Sequence, residues 1–180
     1  VTEAELIGWS FVFYAQVHPD AIIHSRPVGL GAPAWWLAVD GASWKKPDGP
    51  GSDWQDLKDH PVVHISWNDA FSYSNWTGKR LPTEVEWEFA AKANIENREY
   101  NNIRGRKKYA WNSKYTREKD KRFRGDQLAN FKQGQGEYSG LSGWSSDGSD
   151  IPIRVKAYPP NGFGLYDMSG NVAEWVADVY

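Results

Sequence analysis

Asp167 and Glu174 are two acids seven positions apart, on either side of a turn spelled Met168-Ser169-Gly170-Asn171. Hard cations such as Ca²⁺ take about six to eight oxygens, commonly carboxylates and backbone carbonyls from a tightly bent loop. The two acids and the carbonyls between them offer such a set, although a turn aspartate beside a surface glutamate is spelled the same way. His60 and His64 have the spacing of a helical zinc pair, but Pro61 and the β-prone Val62-Val63-His64-Ile65 keep them off one helical face. In a strand they would share a face, with no third ligand in view, so a structural role is expected for both. Glu84, Glu86 and Glu88 resemble an acid cluster. On a helix, however, i and i+2 diverge, and helix capping accounts for Glu86. Arg124-Gly125-Asp126 is too short to mean adhesion, and the sequon Asn75-Trp76-Thr77 sits at a helix end with Trp76 expected inside. No phosphate-binding glycine motif and no nucleophile elbow is present.

The elements that must position these groups are short. Residues 3–17 begin like a helix and continue as an aromatic strand, WSFVFYA. From Pro27 to Lys58 the text reads as loop, with Trp35, Trp36, Trp44 and Trp54 expected to pin it by burial, each ring N–H on a carbonyl. Val62–Ile65 reads as a strand. Ser66 then caps a helix with Trp67, Ala70, Phe71 and Ser74 on one face, ended by Gly78. Pro82 and Thr83-x-x-Glu86 announce a second helix, with Val85 and Phe89 as its inward stripe. Residues 133–150 are nearly all turn formers, and residues 151–158 alternate like a half-buried strand.

Composition narrows the class. The 180 residues include 11 Trp, 17 Gly, 10 Pro and no Cys, enough apolar material for a core held largely by loops. The absence of cysteine removes disulfides, thiolate metal ligands and thiol nucleophiles from these residues. The longest uncharged stretches are too short and too broken to span a bilayer. A net charge of −2 conceals an uneven distribution, because Arg98 to Arg124 holds eleven Lys/Arg against three Asp/Glu. No nucleic-acid motif accompanies that charge, so a solvated insertion is expected rather than a nucleic-acid surface.

The run HPVVHISWNDAFSYSNWTGKRLPTEVEWEFAA (60–91) is flanked by PAWWLAVDGASW (33–44) and PPNGFGLYDMSGNVAEW (159–175). Together these resemble the formylglycine-generating enzyme, or sulfatase-modifying factor, family over nearly the whole chain. GWSFVF (8–13) fits as well. The resemblance implies an α+β fold, a variant of the C-type lectin fold with little regular secondary structure. It also implies one domain over residues 1–180, truncated at both ends, with a basic insertion at about 97–125. Two structural calcium sites follow by matched position. One would use the Asn130 side chain, the Phe131 carbonyl, the Asp147 carboxylate and the Ser149 carbonyl. The other would use Asp167, the Gly170 and Val172 carbonyls and Glu174, with Asp167 standing where some members have Asn.

In catalytic members a cysteine pair binds copper and oxidises a sulfatase cysteine to formylglycine. That pair follows the EW motif and lies outside this chain, so no catalytic residue is assigned and copper is expected only with those cysteines. Ser74 and Ala91 stand where secretory-pathway members have cysteines, which argues against a eukaryotic secretory origin, and a bacterial one is expected. The segment from Asn97 through Gln135, together with residues 147–180, resembles instead the non-catalytic gliding-motility lipoproteins of bacteria. Two functions are therefore expected in alternative: a cytoplasmic oxidase with a sulfatase peptide as partner, or a lectin-like domain binding envelope proteins at the periplasm or outer membrane; an accessory domain fused to another enzyme is a weaker third.

Overall fold

The computed structural model of the chain describes residues 1–29, 35–93, 107–111, 113, 115–122, 124–131 and 151–178. Contacts divide it into two units, Val1–Leu81 and Pro82–Tyr180. In the first, Thr2 and Glu5 form a capping box that opens helix α1 (Glu3–Ile7), and Gly8 closes it at φ 86°. The aromatic strand follows directly as β1 (Trp9–Phe13). Together with β2 (Ser25–Pro27) and β3 (Trp36–Asp40) it makes a three-stranded antiparallel sheet, order β1-β3-β2, with Phe11 and Arg26 both opposite Ala38.

β3 lies within the stretch that reads as loop. It is the central strand, and its neighbours Ala38 and Val39 are both buried, so it lacks the in–out alternation that marks a half-exposed strand. Val12, Val39, Ala42 and Ala21, the last from a 3-10 helix at Pro19–His24, form the core, with Val17 and Leu37 against it. The loop tryptophans pin less than expected, since Trp36 and Trp54 are 41% and 39% exposed.

Val62–Ile65 is not a strand, because His64 takes φ 59°, a left-handed conformation that breaks extension. Ser66 and Asp69 form the capping box of α2 (Trp67–Trp76). The Asp69 carboxylate also accepts the Glu3 N–H at 3.0 Å, tying the two helix starts together. Thr77 Oγ1 donates to the Tyr73 and Ser74 carbonyls at the other end. Trp76, expected inside, is 81% exposed.

In the second unit, Thr83 and Glu86 form the expected capping box of α3 (Glu84–Lys92), which Ala93 ends at φ 42°. Its inward side differs from expectation. Ala91 is buried, whereas Val85 and Phe89 are 76% and 65% exposed. Residues 151–158 do not form a strand, and Lys156 at φ 65° interrupts the extended backbone. An isolated antiparallel bridge joins Arg117 to Gln127, and the other described residues of this unit lie outside helices and strands. The result is an α+β arrangement with a small antiparallel sheet and few helices.

Candidate cation-binding loop

Asn161, which carries no formal charge and was not singled out by sequence, organises the turn before Asp167. Its Oδ1 accepts the N–H groups of Phe163 and Leu165 at 2.9 and 3.0 Å. Its Nδ2 donates to the Ala90 and Ala91 carbonyls at 2.7 and 3.1 Å, among the last carbonyls of α3 that lack an intrahelical partner. One buried amide therefore shapes the turn and anchors it to a helix end. The only sequence signal for this was Asn-Gly in a glycine-rich stretch.

Asp167 comes next, in a left-handed conformation at φ 56°. Its Oδ2 accepts the Lys156 N–H at 2.9 Å. Its Oδ1 is buried without a hydrogen-bond partner among the described residues. A buried carboxylate oxygen in that state carries a full desolvation penalty that a donor or cation would offset. Asp167 also lines a cavity of about 20 Å³ with Trp111, Tyr158, Asn161 and Ser169, room for one water-sized occupant.

The turn continues through Gly170 and Asn171, both at positive φ (90° and 68°). The Asn171 side chain grips the Ile153 backbone, accepting its N–H at 2.9 Å and donating to its carbonyl at 3.1 Å. The Asn171 N–H donates to the Asn130 carbonyl at 2.7 Å, and Asn130 Nδ2 donates to the Ile151 carbonyl at 2.8 Å. Thus Asn130 and Phe131, matched to one expected site, lie directly against Gly170, matched to the other. Val172 is partly buried. Glu174 is exposed, and its Oε2 accepts the Trp87 indole N–H at 2.6 Å. Asp147 and Ser149 lie outside the described residues. Among the described residues no three His, Cys, Asp or Glu side chains converge, so a cation here would draw on amide and backbone oxygens as well as acids.

The histidines separate. His60 Nδ1 meets Asp59 at 2.8 Å. His64 Nε2 lies 2.7 Å from the Pro47 carbonyl, which can only accept, so Nε2 carries the proton and Nδ1 accepts the Ser10 hydroxyl at 2.8 Å. Both ring nitrogens are then satisfied in the neutral form, and burial pushes the His64 pKa down. Burial likewise pushes Asp48 up, against the opposing pull of His64, His18 and His60. Glu86 serves its cap, accepting the Thr83 N–H at 2.9 Å.

The basic segment is not uniformly solvated. Lys107 is only 2% exposed, and burial pushes its pKa down. Tyr109 and Trp111 stack at 4.8 Å, with the Lys108 ammonium 5.3 Å from the Tyr109 ring centroid.

The family model for the sulfatase-modifying factor enzyme 1-like domain matches residues 1–180. The chain is 43% identical over 183 residues to a formylglycine-generating enzyme of Thermomonospora curvata, covering 99% of this chain and 52% of that protein. It is 40% identical over 178 residues to the mouse formylglycine-generating enzyme, covering 99% and 43% respectively. A bovine relative described as an inactive Cα-formylglycine-generating enzyme 2 is also 40% identical, over 180 residues, 99% of this chain and 52% of the relative. The chain thus spans about half the length of the curated relatives it matches.

Proposed function

This chain belongs to the sulfatase-modifying factor enzyme 1-like family, and on that premise we propose that it is part of a formylglycine-generating enzyme whose partner is a cysteine-containing sulfatase peptide. The observation that carries the proposal is the match along the whole chain, at 40% identity or more, to relatives named for that activity. Sequence likeness alone does not separate active from inactive relatives, since the bovine inactive protein matches equally well. Nothing among the matched relatives favours the envelope-lipoprotein alternative.

Copper, which the resemblance implies, finds no thiolate here. The 180 residues contain no cysteine, and no step through that metal is drawn from them. What these residues contribute to the proposed reaction is the scaffold.

Calcium fits the residues better. The buried Oδ1 of Asp167, without a hydrogen-bond partner among the described residues, is the observation that supports a cation here. In this reading Asp167, the Gly170 and Val172 carbonyls and Glu174 hold one ion. Asn130 and Phe131, with Asp147 and Ser149, hold a second. Bound there, calcium supplies positive charge that neutralises the acids and fixes the loop, and no redox chemistry. The loop's own residues supply the order on which this depends: Asn161 shapes the entry turn, and Asn171 fixes the exit to Ile153.

The activity is tested on the whole enzyme of which these residues are proposed to be part, loaded with copper under air and incubated with a sulfatase-type cysteine peptide. Conversion of the thiol to an aldehyde, captured by an aminooxy reagent and read by mass spectrometry, is the expected result. A peptide recovered unchanged from folded, copper-loaded protein overturns the proposal.

A further inference from the structure

Among the described residues, three bonds tie residues 174–178 to the first turns of α3 and to Pro82 just before it. The Ala177 N–H donates to the Pro82 carbonyl at 2.8 Å. The Glu84 N–H donates to the Asp178 carboxylate. The Trp87 indole N–H donates to Glu174 Oε2 at 2.6 Å. The second bond has a plain cause. The Thr83–Glu86 capping box satisfies the N–H groups of those two residues, and Glu84 then presents a first-turn donor at the positive end of the helix dipole.

The third bond differs in kind, because it acts on a side chain rather than on the path of the chain. An indole N–H can only donate, and a carboxylate acceptor makes the bond short and strong. It assigns one oxygen of Glu174 to the helix and orients the other. An exposed glutamate on three rotatable bonds would otherwise sample many directions, and ordering it on cation binding would cost side-chain entropy.

We propose that Trp87 is a positioning residue for a divalent cation bound through Glu174: its N–H pre-orients the carboxylate and couples occupancy of the loop to the first turns of α3. The proposal rests on the reading that Asp167 and Glu174 hold a cation. Partners that orient ligand side chains in this way typically change metal affinity by about 10- to 100-fold when removed.

The test is calorimetric titration of CaCl₂ into chelator-stripped full chain, for wild type, Trp87→Phe, Glu174→Gln and the double variant, at a temperature where circular dichroism shows each folded. Trp87→Phe keeps an aromatic ring and removes the N–H, and is expected to weaken calcium binding by about tenfold. In the Glu174→Gln background the same change is expected to add little, because it acts through that carboxylate. A merely structural indole would lower the melting temperature equally with and without calcium and leave the dissociation constant unchanged. That result, or an undiminished effect of Trp87→Phe in the Glu174→Gln background, overturns the proposal. Absence of calcium binding by the wild type removes the cation reading itself, and is distinguishable from wild-type binding that Trp87→Phe leaves intact. If Trp87→Phe does not fold, 3-benzothienylalanine at position 87 preserves the bicyclic shape without the N–H and answers the same question.

Discussion

The α-carbon of Gly170 lies so close to the Asn130 carbonyl oxygen that a β-carbon would overlap it. This contact joins the two segments matched to the two expected cation sites, and the Asn171 N–H bonds the same oxygen at 2.7 Å. Replacement by alanine combines a left-handed backbone penalty at φ 90° with a clash against backbone, which cannot rotate away. Gly170→Ala is therefore expected to cost about 3 kcal/mol in urea unfolding. Gly8→Ala is the control. It has a similar φ of 86° with nothing near the added carbon, and should cost only about 1 kcal/mol. Equal losses would show that the Asn130 contact contributes nothing.

Gly49 makes the corresponding contact in the first unit. At φ 93°, its added β-carbon would sit 2.7 Å from both the Ala21 β-carbon and Val39 Cγ1, inside the core. Gly49→Ala is expected to destabilise by about 2–4 kcal/mol, read as a lower urea midpoint at unchanged slope. A loss below about 1 kcal/mol would mean that the core yields at this point.

His64 gives the first unit an acid sensitivity of known sign. Its ring faces the Ser10 hydroxyl, the Pro47 carbonyl and the Asp48 carboxylate, and burial lowers its folded pKa below the ordinary 6.5. The unfolded chain therefore binds the proton more readily. This contribution to stability is complete above about pH 6.5 and is lost as pH falls from there towards the folded value. Melting temperature should decline over that window in the wild type. His64→Gln, which can still accept from Ser10 and donate to Pro47, should flatten the decline, and an identical profile would exclude His64 as its source.

Calcium removal tests the loop directly. A ligand at about 100 times its dissociation constant stabilises by about 2.7 kcal/mol. For a chain of this size that corresponds to a melting shift of about 5–10 °C. Melting with excess Ca²⁺ against EGTA should show that difference. Superimposed curves would refute a cation held by Asp167 and Glu174.

Local signals carried the helices into the sequence, and long-range burial kept other features out of it. Ser66 and Thr83 each satisfy a donor three residues away, so both caps were legible. β3 was not, because a central strand covered on both faces has no period to read. Val85 and Phe89 were placed inside by spacing, yet spacing identifies a stripe without saying what lies over it. At the candidate loop the acids and glycines were visible as types. The orphaned oxygen of Asp167, the grip of Asn161 on α3 and the Trp87–Glu174 bond depend on partners up to 87 positions distant, which no local pattern encodes.

Glu5 closes the α1 capping box and carries a second bond that makes it unusually acidic. The Lys45 ammonium lies 2.9 Å from Oε1, and that hydrogen bond, followed by the Thr2 N–H, lowers the carboxyl pKa from 4.5 to about 2. Because the folded value is depressed, the contribution is present above the unfolded pKa near 4.5 and is lost as pH falls from there towards 2. Carboxyl NMR titration of the wild type should give a Glu5 midpoint near 2. Lys45→Met removes the larger cause and leaves the Thr2 bond, so the midpoint should rise towards the ordinary range without fully reaching it. A midpoint unmoved by Lys45→Met would assign the depression to the cap alone, and with it the acid resistance of the α1 start.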